Sequence, residues 1–271
     1  MQSKSDTVLR RHVGLSGLRR IAFDRLRMHL GFALLGLLCV AFLPLALAMY
    51  VFLSRENGRR ACRRAISGAF HFYLRALESM GACRFDLDDL DALRFGPPMI
   101  IAPNHPGLLD AVMILSRLPD AACVMKADIV NSLFFGAGAR LAGYISNMPL
   151  RTMIERAVAE LRQGRHLLLF PEGTRTRRFP VGAIQGTAGL IAKHSGVPVQ
   201  TVLIETNSAF LGKGWSVFWT PKMPITYRLR LGKRFDAPRH AASFAGELEA
   251  YFLSELAHAQ LLDFPASAPR G

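Results

Sequence analysis

Apolar and polar positions follow three different rhythms along this chain. From Leu30 to Leu53 the sequence LGFALLGLLCVAFLPLALAMYVFL runs for twenty-four residues without a charge, more than the ~20 a helix needs to cross a bilayer. Just upstream, Leu15, Leu18, Ala22 and Leu26 recur at helical spacing with arginines between them, the pattern of an interfacial amphipathic helix. Pro44 interrupts the apolar run, and a proline inside a helix removes a hydrogen bond and kinks it. A second helix is predicted over 59–80, where Ile66, Phe70, Tyr73, Leu77 and Met80 fall on one side.

From Pro98 onward short apolar runs alternate with helical ones. Strands are predicted over 99–102, 122–125, 166–170 and 197–204, and helices over 108–117, up to about Gly143, over 149–163 and over 185–194. Ile225 to Leu231 reads ITYRLRL, the period-two signature of a half-exposed strand. Phe244, Leu248, Tyr251, Phe252 and Leu256 mark a closing amphipathic helix. Strand and helix in alternation predict an α/β fold: a single layered α/β domain with a mostly central sheet, preceded by an N-terminal membrane-associated helical segment. The expected boundaries are 1–80 for the basic, hydrophobic anchoring helices, 81–264 for the α/β domain and 265–271 for a flexible tail. There is neither an internal repeat nor a low-complexity tract.

Charge sharpens the reading of the N-terminal segment. The 271 residues carry a net charge of +14 and are 51% hydrophobic, which excludes a disordered chain. Residues 1–66 hold twelve basic against three acidic residues, so the excess crowds around the apolar run. Nucleic acid would call for a basic face interleaved with exposed aromatics or a recognisable module, and neither is present. A membrane surface is the better partner. A cleaved signal peptide fits badly, because twenty-nine residues precede the run and no small-residue cleavage site follows. Arginines flank both ends: Arg19, Arg20, Arg25 and Arg27 before, Arg55, Arg59, Arg60, Arg63 and Arg64 after. Charge asymmetry therefore chooses no orientation for a span, and two basic flanks suit a kinked hairpin that enters the cytoplasmic leaflet and returns. The expected location is the inner membrane, with the α/β domain on the cytosolic face. The four cysteines form no CxxC pair and read as inert thiols of a reducing compartment. No metal site is expected.

Two clusters carry chemistry. Asn104-His105-Pro106-Gly107-Leu108-Leu109-Asp110 directly follows a predicted buried strand. On one continuous helix, residues five apart lie ~140° around the axis. With His105 in the loop and Asp110 in the first helical turn, however, the carboxylate can fold back onto the imidazole. That pair suits a general base and its orienter, and free N–H groups at the helix start suit an oxyanion. The same spacing also fits a capping aspartate beside an incidental histidine. The second cluster, Phe170-Pro171-Glu172-Gly173-Thr174-Arg175-Thr176-Arg177-Arg178, follows another predicted strand. Gly173 permits close backbone approach, Arg175 offers a planar fork suited to phosphate, and Glu172 can hold Arg175 or an acceptor hydroxyl. Taken alone it also fits a solvated basic loop. Because both clusters follow strands, both can open into one crevice beyond the strand ends.

With these residues in view the chain resembles the glycerolipid acyltransferase family that includes 1-acylglycerol-3-phosphate acyltransferases. NHPGLLD is similar to that family's NHxxxxD (HX4D) motif and FPEGTRT to its FPEGTR motif, and GVPVQTVLI resembles its last motif; the likeness covers about residues 95–205. The resemblance implies that His105, oriented by Asp110, deprotonates the acceptor hydroxyl for attack on the thioester of an acyl-CoA or acyl carrier protein, with no further cofactor. It implies an acceptor site of Glu172, Gly173 and Arg175, with Arg175 on the phosphate; Asn104, Thr174 and Lys126 are further candidates for binding substrate. The chain departs from the family at Ile184-Gln185-Gly186, where a phenylalanine-lysine-glycine stretch is usual, at Gln200-Thr201, where proline is common, and at Ser146-Asn147-Met148, where an arginine is expected soon after. Lys126 and Arg151 are the available substitutes. The expected function is phospholipid biosynthesis on lysophosphatidate. The same chemistry on another lysophospholipid, an amino-acid lipid or a specialised membrane lipid is the alternative, and a non-catalytic lipid-binding protein on this fold is a further one.

Overall fold

The computed structural model describes residues 15–257, so the tail expected over 265–271 lies outside the described residues, as do residues 1–14. Seven strands form one sheet in the order β1-β7-β6-β2-β5-β3-β4. These are β1 (Cys83–Asp86), β2 (Ile100–Pro103), β3 (Ala122–Met125), β4 (Ile145–Ser146), β5 (Leu167–Leu168), β6 (Val199–Thr206) and β7 (Ile225–Phe235). Neighbours run parallel except β6 and β7, which are antiparallel. Every residue of β2 and of β6 is buried, as expected of central strands covered on both faces, whereas β7 alternates along its first half.

Helices α1 (Leu15–Phe52), α2 (Arg55–Ser79) and α3 (Leu109–Arg117) cover one face. Helices α6 (Leu150–Arg162), α7 (Thr187–Ser195) and α8 (Ala241–Leu256) cover the other. The short α4 (Ala127–Val130) and α5 (Leu133–Leu141) bridge β3 to β4. The result is a three-layer α/β/α domain, the layered class expected from the alternation of periods. Two strands went unforeseen: β1 reads CRFD and β4 only IS, without the apolar run that marked the equally short β2, β3 and β5. Cys62, Cys83 and Cys123 are free and buried, and burial pushes each thiol up to about 12.

The N-terminal segment departs from the expected kinked hairpin within the apolar run. The amphipathic stretch and the apolar run are one unbroken helix of 38 residues with Pro44 inside it. Met28, Phe32, Leu35, Phe42 and Met49 pack on the same domain core or against it, before and after the proline. The carbonyl that loses its donor lies at Val40, on the exposed side. The chain reverses beyond the run, at Leu53-Ser54, where the Ser54 hydroxyl accepts from the Asn57 N–H at 3.4 Å and caps α2.

Helix α2 is part of the core. It contributes Cys62, Tyr73, Leu74 and Leu77 to the interior. It also carries Arg63, whose guanidinium is only 1% exposed and donates to the Ala142 carbonyl at 2.7 Å and to Glu160 of α6 at 2.9 Å. Arg165 reaches the same Glu160 oxygen at 2.9 Å and bonds Glu56 of α2 through its other nitrogen.

Candidate active site

Three loops leave the C-terminal ends of the adjacent strands β5, β2 and β6, and they interlock. The register pairs Ile101 of β2 with Leu168 of β5 and with Gln200 of β6. Whatever follows these strands therefore opens on one edge of the sheet, as parallel packing dictates.

After β2 the chain passes through Asn104 and His105 into a turn at Pro106-Gly107, then enters α3. Asp110 falls in the first turn of that helix. Its Oδ2 lies 2.7 Å from His105 Nδ1 and accepts from the Gly107 N–H at 2.8 Å. The carboxyl has no exposed surface, and its Oδ1 has no hydrogen-bond partner among the described residues. Burial pushes the Asp110 carboxyl above the ordinary carboxylate range, against the opposing pull of His105, the Gly107 N–H and the charge of Arg175. With Nδ1 donating to Asp110, Nε2 is left as the imidazole's lone-pair nitrogen. The ring stacks on Phe170 with centroids 3.8 Å apart, which fixes its plane, and the side chain keeps 16% of its surface exposed.

After β5 the chain turns through Pro171-Glu172-Gly173. Gly173 has φ +66°, so this position favours glycine, and a Cβ there would also push aside the Gln185 amide. Glu172 is a staple. Its Oε1 accepts from the His105 N–H at 2.9 Å and the Thr176 hydroxyl at 2.8 Å, and its Oε2 accepts from the Gly182 N–H at 2.8 Å. The Thr176 N–H returns the link to the His105 carbonyl at 2.8 Å. Arg175 points Nη1 at the carbonyls of Leu211 and Gly212, each at 2.9 Å. The Leu211 carbonyl also accepts from the Leu108 N–H at 3.2 Å. His105 and Arg175 are thus held by one set of interlocked loops, and the charge of Arg175 reaches Asp110.

Residues 84–205 match the family model described as Acyltransferase. The relatives include 1-acyl-sn-glycerol-3-phosphate acyltransferase beta of Homo sapiens, 25% identical over 190 residues that make up 66% of this chain and 66% of that protein. A chloroplastic 1-acyl-sn-glycerol-3-phosphate acyltransferase of Brassica napus is 25% identical over 146 residues, 49% of this chain and 42% of that protein. The crystal structure of the 1-acyl-sn-glycerophosphate acyltransferase PlsC of Thermotoga maritima superposes with a TM-score of 0.68 over 93% of this chain and 100% of that chain, at 16% identity. That last likeness is one of fold. Residues 84–205 thus carry an acyltransferase domain, similar to those of the 1-acyl-sn-glycerol-3-phosphate acyltransferases, and both motifs lie within it.

Within this acyltransferase the residues singled out from sequence divide by what their polar atoms do. His105, Asp110 and Arg175 come together as described. Asn104 and Glu172, expected on the substrate, are instead committed to the scaffold. The Asn104 amide donates to the Ile204 carbonyl at 3.0 Å and accepts from the Ile204 N–H at 2.7 Å, replacing a ladder pair where β2 leaves β6. Both residues are almost fully buried. Thr174 is exposed beside Gly173. Lys126 follows β3 on the same sheet edge but is exposed and paired with Asp128. Arg151, the other suggested substitute, is exposed and paired with Glu155. Nor are the helix-start N–H groups all open to an oxyanion: those of Gly107 and Leu108 are taken by Asp110 and Leu211.

Sequence reasoning did not find the third loop, residues 207–224, which supplies the carbonyls that hold Arg175. Its one signal is retrospective: Leu211 has φ +58°, an uncommon conformation for a residue with a Cβ. A separate groove of about 970 Å³ runs between the second half of α1, the start of α2 and α5, with Arg55, Arg59, Arg140 and Arg156 among its lining residues. It contains none of the residues of the two motifs.

Proposed function

We propose that this acyltransferase moves a fatty acyl group from an acyl thioester, acyl-CoA or acyl carrier protein, to the free hydroxyl of 1-acylglycerol-3-phosphate at a membrane surface. The observation that carries the reading is the 2.7 Å pair of His105 Nδ1 and Asp110, with Arg175 locked into the same loops. Nε2 takes the proton of the acceptor hydroxyl, and the carboxylate stabilises the imidazolium that forms. The alkoxide oxygen adds to the thioester carbonyl. The tetrahedral adduct then breaks its C–S bond, and the departing thiolate takes the proton back from His105. A thioester already carries a good leaving group, so the step asks for no acyl-enzyme, metal or resident cofactor. Arg175 has Nη2 and Nε without partners among the described residues, which leaves them for the phosphate.

The names of the relatives, 1-acyl-sn-glycerol-3-phosphate acyltransferases, support the acceptor. Helix α1 supports the membrane: it is the one described helix long and apolar enough to cross a bilayer. Because its inner face packs on the domain along most of its length, we read it as lying in the interface rather than spanning, with the α/β domain on the cytosolic side. Leu37, Val40, Leu45 and Leu47 on its outer side are at least 45% exposed and supply the lipid-facing surface.

Transfer assays with a long-chain acyl thioester test the assignment. His105→Ala should lower turnover by about 10²–10⁴-fold with membrane binding intact; retained turnover removes the base. Arg175→Ala should weaken use of lysophosphatidate by about tenfold to a hundredfold and spare an unphosphorylated acceptor. A second reading keeps the chemistry and changes the acceptor, because Lys126 and Arg151 are each paired with a carboxylate. Equal losses on both acceptors in Arg175→Ala favour that reading.

A further inference from the structure

The loop of residues 207–224, between β6 and β7, ends in a tip that is apolar and open. Val217 is 52% exposed, Phe218 79% and Trp219 45%. Three large side chains in a row are seldom left so in water. The exposed Lys213 and Lys222 flank them in the loop. The tip is tied to the N-terminal third of α1: Arg25 donates to the Phe218 carbonyl at 3.3 Å and to the Thr220 hydroxyl at 3.4 Å, and Arg20 donates to the Met223 carbonyl at 3.4 Å. On that part of α1, Leu18, Ile21 and Leu26 are exposed, so the tip adds to the apolar outer surface of α1. Aromatic side chains beside cationic ones suit the headgroup level of an anionic bilayer.

Inward from the tip runs a chain of packed rings. Trp219 meets Trp215 edge-on at 5.9 Å, Trp215 meets Phe210 edge-on at 5.5 Å, and Phe210 stacks on Phe32 of α1 at 6.0 Å. The residue after Phe210 is Leu211, in the left-handed region, and its carbonyl holds both Arg175 and the Leu108 N–H. A leucine persists in that conformation only where its surroundings over-determine it. Gly212 and Gly107 show how tightly they do so: a Cβ on Gly212 would lie 2.9 Å from the Ala209 carbonyl oxygen, and one on Gly107 3.2 Å from that of Phe210.

We propose that the 207–224 loop is a second lipid-contacting element, whose Val217-Phe218-Trp219 tip seats in the interface of an anionic bilayer beside α1 and whose base thereby fixes Arg175. This rests on the membrane reading above and adds to it a surface outside the N-terminal helix, and a physical link from lipid to the site. Leu211, Trp215 and Phe210 act as positioning residues.

The chain has two tryptophans, both in this loop, so the full-length Trp215→Phe variant carries a single reporter at the tip. Vesicles of phosphatidylglycerol and phosphatidylcholine in equal parts should shift its emission to the blue, and lipids brominated near the headgroup should quench it. Cosedimentation with an unchanged, unquenched Trp219 overturns the proposal while leaving the α1 reading intact; absence of cosedimentation overturns both. For the link to the site, hydrogen exchange of peptides covering 106–111 and 209–215 should slow severalfold on adding vesicles. The paired substitution Phe218→Ser with Trp219→Ser, in which Trp215 still reports folding, should abolish that slowing, and Phe218→Leu with Trp219→Phe should restore it. Exchange in these peptides that ignores vesicles in the native protein overturns the link to Arg175.

Discussion

Asp110 is a carboxylate without exposed surface, holding one histidine through one oxygen while the other oxygen goes unpaired. Burial raises its pKa, and a raised acid binds more protons folded than unfolded, so this group lowers stability as pH rises through its folded value. The ionised form is therefore a stability liability kept for its effect on His105. Asp110→Asn should leave the melting temperature unchanged or higher at pH 7 and cut turnover by about 10²–10⁴-fold. An asparagine oxygen in the Oδ2 place can still accept from Gly107 and Nδ1, but it carries no charge to stabilise the imidazolium that forms. A variant that melts well below the native protein would show that the carboxylate stabilises the fold. This pair was legible in the sequence because it is local: five residues, a proline-glycine turn and a helix start determine it. Glu172 was legible as a residue and misread in its role, because its partners include the N–H groups of His105 and Gly182, one of which belongs to another loop. Leu211 left no trace, since a main-chain carbonyl can come from any residue type.

At the scale of elements, α2 and α6 are joined by a buried cluster that the charge pattern did not reveal. Burial pushes the Glu160 carboxyl up, but Arg63 and Arg165 outweigh it and hold it below its usual 4.5. A depressed acid stabilises the fold above its unfolded pKa, and that contribution is lost as pH falls through the folded value. Glu160→Gln takes from Arg63, 1% exposed, its close countercharge and leaves it only the half-exposed Asp120 at 4.0 Å. Breaking one side of such a buried pair costs about 3–5 kcal/mol, enough to bring unfolding forward markedly in a urea titration. The variant's stability should also vary less with pH below about 4.5 than that of the native protein. The period of the sequence placed α2 and α6 within a few residues, because each buries one apolar stripe. It could not pair them, since Arg63 and Glu160 are 97 residues apart. The same limit split α1 in two: composition changes from amphipathic to apolar near Leu30, but the inward-facing residues continue at helical spacing across the change.

The whole molecule has one core on the α1–α2 side of the sheet, and it crosses the line between helical segment and α/β domain. Met28 of α1 is buried in the same cluster as Met99, Ile101 and Leu168 of the sheet region, and Phe32, Leu35 and Phe42 pack against that cluster. A detachable anchor would keep its apolar residues to itself, and cutting it away would leave a soluble, active domain. Here, removing α1 strips cover from Tyr73 and Leu77, now 2% and 5% exposed, and from Phe210 next to the carbonyl that holds Arg175. It also frees the 207–224 loop from Arg20 and Arg25. Burying apolar area is the main force behind folding, so a chain beginning at Arg55 should aggregate on size-exclusion chromatography in the absence of detergent. In mild detergent, where the exposed surface is covered, it should still transfer acyl groups poorly, because covering that surface does not restore the contacts that position Phe210 and Leu211. Full activity of the truncated chain in detergent would show that α1 serves attachment alone, and that the site beyond the strand ends is complete without it.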